Sequence, residues 1–245
     1  MPEKIRIDQL LLRNNLAPTI EKARALILTG DVLVNNVPID KAGYQVKVDS
    51  EVRIRGEFSK YVGRGGDKLE GAIKHFNLNF DSRICLDIGA STGGFTDCML
   101  QLGASKVYAV DVGHNQLDHK LREDPRVVVL EKTHIKDLTL ATFDTLPTFA
   151  TIDVSFISAR TVLSYLLNLI AAPLEILLLV KPQFELDREQ VSSGGVVKDE
   201  NLQLAAVKLV SDYALEHSLT VIGFVPSQLK GNKSGNQEYF LYLKR

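Results

Sequence analysis

Apolar positions are distributed in two different ways along the chain, and the change falls near residue 60. Ile7, Leu10, Leu11 and Leu12 stand among polar neighbours at helical spacing, which predicts a first helix ending near Asn14-Asn15. Pro18-Thr19 opens a second helix with Thr19 as its N-cap and Ile20, Ala23, Leu26 and Ile27 on one face, and Gly30 closes it. Val32–Val34 then reads as a strand, Asn35-Asn36 as a turn and Val37 as the start of a return. Val46, Val48, Val52 and Ile54 continue the short strands around a turn at Asp49-Ser50. This predicts a small α+β module over residues 1–58. Residues 59–66 read as a linker, since Gly56, Gly63, Gly65 and Gly66 cluster there with Lys60 and Arg64.

From Asp67 onward, strand and helix patterns alternate. A helix is predicted over 67–75 and strands over 83–89, 106–111, 126–130, 149–154 and 175–181. Helices are predicted over 94–102, 158–171 and 199–217, and closing strands over 220–225 and 238–244. Such alternation implies an α/β domain, 67–245, whose mostly parallel sheet is covered on both faces. Ligands of such sheets sit beyond the carboxyl ends of the strands.

Composition excludes more than it identifies. Apolar residues make up 45% of the 245, charged residues 24%, and the net charge is −1. Residues 1–64 hold 11 Lys/Arg against 8 Asp/Glu, and the rest hold 18 against 22, so the small module is the basic one. A basic small module suits a polyanion. Cys85 and Cys98 lie in apolar runs and form no C-x-x-C, so neither a disulfide framework nor a zinc site is expected. The start of the chain is polar, without a signal-like apolar core. The apolar run near 162–180 is interrupted by Asn168, Pro173 and Glu175, and does not supply the roughly 20 residues of a membrane span. A cytoplasmic, reducing location is expected, with no membrane and no metal partner. His114 and His119 read as surface residues.

The stretch Ile84-Cys85-Leu86-Asp87-Ile88-Gly89-Ala90-Ser91-Thr92-Gly93-Gly94-Phe95-Thr96 runs from an apolar strand through a glycine-rich turn into a helix. Glycines let the backbone approach a ligand closely, and a helix N-terminus offers free N–H groups. The next strand ends at Val110-Asp111, 24 residues after Asp87, where an acid can hold both hydroxyls of a ribose. A dinucleotide site calls for G-x-G-x-x-G. Here the spacing is G-x-x-x-G-G, with an acid two residues before the first glycine. That acid suits a cationic amino-acid ligand better than a phosphate, and S-adenosylmethionine carries an ammonium, a sulfonium and a ribose but no phosphate. The candidate cofactor residues are Asp87, Gly89, Ala90, Ser91, Thr92, Gly93, Gly94, Phe95, Thr96, Asp111 and Val112. His134, after the third strand, either borders the adenine or packs its own loop.

Lys68 on the helix before the first strand, Asp153 and Lys181 after the fourth and fifth, and Glu238 at the start of the last complete the candidate site. This set resembles the Lys-Asp-Lys-Glu tetrad of FtsJ-like RNA ribose 2′-O-methyltransferases. The wording around it is similar to the TlyA subfamily, often labelled "hemolysin A": Arg64-Gly65-Gly66-Asp67-Lys68-Leu69, Asp153-Val154-Ser155-Phe156-Ile157-Ser158 and Val180-Lys181-Pro182-Gln183-Phe184-Glu185. Arg6-Ile7-Asp8, Lys22-Ala23-Arg24 and Gly30-Asp31-Val32-Leu33-Val34-Asn35 resemble the RNA-binding domain named after the fourth small-subunit ribosomal protein. The resemblance covers nearly the whole chain. It implies a Rossmann-like methyltransferase sheet with an antiparallel last strand, and 2′-O-methylation of cytidine in ribosomal RNA of the large subunit, in some members also the small.

A ribose hydroxyl must lose its proton as the methyl arrives. Lys181 is the candidate base, Lys68 its neighbouring cation, Asp153 the group that orients Lys181 near the sulfonium, and Glu238 the partner of Lys68 or of the ribose. Arg6, Lys22, Arg24, Lys41 and Arg64 are the candidate RNA contacts. Three competing functions stand beside this one: a membrane-active protein, a catalytically silent RNA-binding protein, and a Rossmann dehydrogenase.

Overall fold

The computed structural model describes residues 3–54, 59–171, 173–231 and 235–245. The chain divides into two compact units, Met1–Phe58 and Ser59–Arg245.

The first unit comprises β1 (Lys4–Arg6), α1 (Ile7–Arg13), α2 (Ile20–Leu28), β2 (Val32–Val34), β3 (Val37–Ile39), β4 (Gln45–Lys47) and β5 (Val52–Ile54). The Thr19 side chain caps α2 by accepting from the Lys22 N–H at 3.2 Å. Asn35 and Asn36 take positive φ values of 49° and 66°, which lets a two-residue turn join β2 to β3 with Val34 opposite Val37. The sheet order is β3-β2-β5, and β1 pairs separately with β4. Ile7, Leu10, Leu11, Ala23 and Ile27 from the helices pack on Val32, Val34 and Val46. The strand β1 has no counterpart in the apolar pattern, because its three residues alternate between charges and one Ile.

The second unit begins with α3 (Arg64–Phe76), β6 (Ile84–Ile88), α4 (Gly94–Gln101), β7 (Lys106–Val110), α5 (His119–Arg122) and β8 (Val127–Leu130). It continues with β9 (Phe149–Ile152), α6 (Ala159–Leu169), β10 (Glu175–Val180), α7 (Pro182–Glu185), α8 (Glu200–Glu216), β11 (Thr220–Pro226) and β12 (Tyr239–Lys244). Residues 59–66, expected as a linker, belong instead to this unit. Tyr61 is 2% exposed and sits in the core. A Cβ on Gly66 would lie 2.3 Å from the Tyr61 ring, so Gly66 leaves the space that the ring fills. The Val62 N–H donates to Asp97 Oδ2 at 2.9 Å. Gly63, Gly65 and Gly66 are therefore close-packing positions, Gly56 lies outside the described residues, and the helix begins at Arg64 rather than Asp67.

The seven strands lie in the order β11-β12-β10-β9-β6-β7-β8. The five from β10 to β8 run parallel, and β12 alone is reversed, pairing antiparallel with β10 on one side and β11 on the other. β9 and most of β6 and β10 are buried, as parallel strands covered on both faces must be. α6 and α8 contribute Val162, Leu163, Leu166 and Val210 to one core layer, and α3 and α4 contribute Leu69, Ala72, Cys98 and Met99 to the other. Strand order reverses between β6 and β9, and the crevice beyond their carboxyl ends is where such sheets bind ligands. Because β12 runs antiparallel, its first residue, Tyr239, lies opposite Val180 at the end of β10. That register brings Glu238 to the edge that carries Lys181. Among the described residues no helix is long and apolar enough to cross a membrane, and no cluster of His, Cys, Asp and Glu is arranged to hold a metal ion.

Candidate active site

Four of these five parallel strands end one residue before a charged group, Val110 before Asp111, Leu130 before Glu131, Ile152 before Asp153 and Val180 before Lys181, and the fifth ends at Ile88 before the Gly89 turn. A cavity of about 190 Å³ opens at this edge, lined by Arg64, Gly65, Lys68, Gly89, Ala90, Ser91, Thr92, Gly94, Phe95, Asp153 and Lys230.

The turn after β6 is pressed against the end of β9. Gly89 has φ +87°, and a Cβ there would lie 2.2 Å from the Asp153 carbonyl oxygen, so only glycine allows the two backbones to meet. Beside it, Asp111 Oδ2 accepts from the Ser91 N–H and Oδ1 from the Gly113 N–H, both at 2.7 Å. A carboxylate has further lone pairs, and Asp111 can still accept from two ribose hydroxyls.

Three expected cofactor contacts build the turn rather than face the cavity. Asp87 is fully buried, with Oδ2 accepting from Thr96 Oγ1 at 2.6 Å and Oδ1 from Thr151 Oγ1 at 2.9 Å. Its carboxyl is buried against these hydroxyls and does not line the cavity. Burial pushes it up to about 6, against the pull of the two hydroxyls. Thr96 is spent on that bond. Gly93, at φ +94°, is needed because a Cβ would meet Leu121 Cδ1 at 2.2 Å. His134 packs its loop: Nδ1 accepts from the Lys136 N–H at 3.1 Å and the ring stands edge-on to Tyr165. Val112, just past Asp111, is 69% exposed.

The four charged residues expected at the catalytic edge form two ion pairs. Lys181 Nζ lies 2.6 Å from Asp153 Oδ1 and donates to Ser155 Oγ at 2.9 Å. Asp153 Oδ1 is buried without an aligned hydrogen bond, so its contact with Lys181 is one of charge and leaves acceptor capacity at the cavity wall. Lys68 Nζ donates to Glu238 Oε2 at 2.6 Å, with both side chains largely buried. Lys68 is thus paired with Glu238. Ser155 and the cavity residues Gly65 and Lys230 escaped the sequence reading. Lys230 sits in the β11–β12 loop among ordinary polar residues, where no local pattern marks it.

The five candidate RNA contacts are not one group. Arg6 and Arg24 share the buried Asp8 carboxylate, at 2.7 and 3.2 Å. These charge-assisted bonds hold Asp8 below the usual carboxylate range, the Arg6 hydrogen bond most of all. Lys22 lies in the first turn of α2 and Lys41 is exposed ahead of β4. Arg64 belongs to the cavity of the second unit.

The site offers donors and acceptors that suit S-adenosylmethionine: the glycine turn at the start of α4 and the Asp153 carboxylate line the cavity, and Asp111 stands beside it, bonded to the lining residue Ser91. Residues 61–245 match the FtsJ-like methyltransferase family, and residues 5–52 match the S4 domain. The YqxC protein of Bacillus subtilis, named as a candidate rRNA methyltransferase, is 44% identical over 98% of this chain and 86% of its own length. The 16S/23S rRNA (cytidine-2′-O)-methyltransferase TlyA of Mycobacterium tuberculosis is 40% identical over 100% of this chain and 91% of its own. A solved structure from Streptococcus thermophilus, described as a candidate hemolysin, superposes with a TM-score of 0.77 at 41% identity, covering 100% of this chain and 89% of that one. With three quarters of its length matched by one family and relatives alike from end to end, this chain belongs to the FtsJ-like methyltransferases, enzymes that use S-adenosylmethionine, and carries an S4 domain in front.

Proposed function

We propose that this enzyme methylates a ribose 2′-hydroxyl of ribosomal RNA, with cytidine as the target nucleoside, and that Lys181 takes the hydroxyl proton. The observation that carries the reading is the placement of Lys181 Nζ, 2.6 Å from Asp153 Oδ1, where Asp153 itself lines the cavity. S-adenosylmethionine supplies an electrophilic methyl group on a sulfonium. The ribose oxygen forms the new C–O bond as the methyl leaves sulfur, and its proton passes to Lys181 Nζ. Lys181 must be neutral at that moment, and Ser155 Oγ and Asp153 hold its nitrogen in place. Asp153 also offers a carboxylate to the positive charge of the methyl donor. Lys68 lines the same cavity, and its ion pair with Glu238 holds Lys68 Nζ there. Arg64 and Lys230 give the cavity a surplus of positive charge suited to the phosphates flanking the target nucleotide.

The first unit supplies affinity and not chemistry. Asp8 holds the Arg6 and Arg24 guanidiniums, which remain 41% and 51% exposed, in positions able to meet phosphate. The names of the relatives support rRNA as substrate and cytidine as target. The test is to incubate the protein with labelled methyl donor and rRNA from separated ribosomal subunits, then map the modified nucleotide. A ribose 2′-O-methyl group blocks attack of the 2′-oxygen on the next phosphate, so the labelled linkage resists alkali. Label on a base, released at an alkali-sensitive position, would contradict the reading.

A further inference from the structure

Two turns meet at the catalytic edge, and a buried carboxylate ties them together. The first runs from Asp153 through Ser158, the N-cap of α6, and the second is Lys181 with α7. Glu185, at the end of α7, is 1% exposed in its side chain. Its Oε1 accepts from the Ala159 N–H and its Oε2 from Ser158 Oγ, both at 2.6 Å. Arg160 Nε adds a third bond to Oε2 at 3.1 Å, and Arg160 Nη2 reaches the Glu185 carbonyl at 3.3 Å. Every one of these bonds joins Glu185 to the end of the first turn or to the first residues of α6 that follow it.

The tie works against strain. Phe156, in the middle of the first turn, has φ +66° and is 87% exposed. A bulky residue in the left-handed region costs on the order of 1–3 kcal/mol and persists only where its surroundings enforce it. Solvent does not enforce it here. The Phe156 ring meets Phe184 of α7 at 5.4 Å, and the ends of the turn are tied: the Asp153 N–H is bonded to Ile88 O at 2.9 Å, and Ser158 with Ala159 is clamped on Glu185. Ser155 and Asp153, the two groups that touch Lys181 Nζ, lie within that clamped turn.

We propose that Glu185 is a positioning residue for methyl transfer: by clamping the Asp153–Ser158 turn to the Lys181–Glu185 turn, it fixes Asp153 and Ser155 against Lys181 Nζ. The proposal rests on the reading of Lys181 as proton acceptor. Glu185 touches neither cofactor nor RNA in this account. Its loss therefore slows the chemical step and leaves ground-state binding intact.

The experiment is single-turnover methylation of rRNA from separated subunits by the full chain, with both ligands saturating, for wild type, Glu185→Ala, Glu185→Gln, Ser158→Ala and Lys181→Arg. Cofactor affinity is measured alongside by calorimetry. Glu185→Ala lowers the rate at least tenfold while the cofactor Kd stays within threefold of wild type. Glu185→Gln, which keeps an acceptor for the Ala159 N–H but loses the charge facing Arg160, recovers part of the rate. A merely structural role would instead lower the rate and the cofactor affinity together, with no recovery in Glu185→Gln. If Glu185→Ala does not fold, Ser158→Ala and Glu185→Gln carry the same test with smaller losses. Rates within threefold of wild type overturn the proposal, as does a rate loss matched by an equal loss of cofactor affinity. An inactive wild type, or a Lys181→Arg variant at the wild-type rate, instead strikes the reading of Lys181 on which the proposal stands.

Discussion

Lys68 and Glu238 are 170 residues apart in sequence, and Lys68 Nζ donates to Glu238 Oε2 at 2.6 Å, with the two side chains 12% and 4% exposed. The pair joins the first helix of the catalytic unit to the loop before its last strand. Desolvation makes such a pair costly to break and cheap to replace. Removing one partner strands a buried charge, at about 3–5 kcal/mol, whereas an apolar pair of similar size is often neutral or better. Glu238→Gln is therefore expected to destabilise the protein by roughly 3 kcal/mol. Lys68→Met combined with Glu238→Leu is expected to restore stability and to remain inactive. Urea unfolding of the two variants checks this. A double variant as unstable as the single one would mean that the pair contributes net stability of its own.

Asp87 gives a pH prediction with a definite sign. Its folded-state pKa of about 6 lies above the value of about 3.9 for an unfolded Asp. The folded protein thus binds more protons, and the contribution of Asp87 to stability is full below about pH 4 and lost as pH rises through 6. The difference of about two units corresponds to about 3 kcal/mol at pH 7. Asp87→Asn removes the charge and keeps polar atoms for Thr96 and Thr151. In cofactor-free protein, the unfolding free energy of Asp87→Asn minus that of wild type should rise between pH 4 and pH 7 by up to that amount. A difference independent of pH would show that the buried carboxyl does not titrate there.

Asp111 is expected to hold the ribose of the cofactor while anchoring the turn through Ser91 and Gly113. Hydrogen bonds to a charged group contribute roughly 1.5–3 kcal/mol. Asp111→Ala should raise the calorimetric Kd for S-adenosylmethionine about 10- to 100-fold. An unchanged Kd would remove Asp111 from the cofactor site.

Lys230 lines the cavity and makes no ion pair among the described residues. Lys230→Ala should weaken RNA binding and lower the salt slope of log K by about one, while the cofactor Kd stays put. A variant with weaker cofactor binding and unchanged RNA affinity would assign Lys230 to the carboxylate of the methyl donor instead.

The parallel strands were legible because burial on both faces writes them as unbroken apolar runs, and the groups just past their ends, Asp111, Asp153 and Lys181, followed from the architecture. The pairing of Lys68 with Glu238 was open, since Glu238 had two prospective partners and only the antiparallel register of β12 decides between them. Tyr61 and Gly66 misled, because glycine serves close packing and flexibility alike, and a sequence does not say which ring it accommodates. Asp87 misled for a related reason. A carboxylate beside a glycine turn reads as a ligand contact until it is seen buried against the hydroxyls of Thr96 and Thr151. The short helices α5 and α7, four residues each, carry too few positions to show a period.

The central claim is that Lys181 accepts the ribose proton. The most direct measurement is single-turnover methylation by Lys181→Arg with cofactor and rRNA saturating. Arginine keeps the positive charge beside Asp153 and cannot give up its proton within a protein. General-base catalysis contributes roughly 10²–10⁴-fold, so the account predicts a rate lower by that factor at unchanged cofactor and RNA affinity. A Lys181→Arg variant that transfers methyl at the wild-type rate would contradict it, and would show that Lys181 supplies charge and not a base.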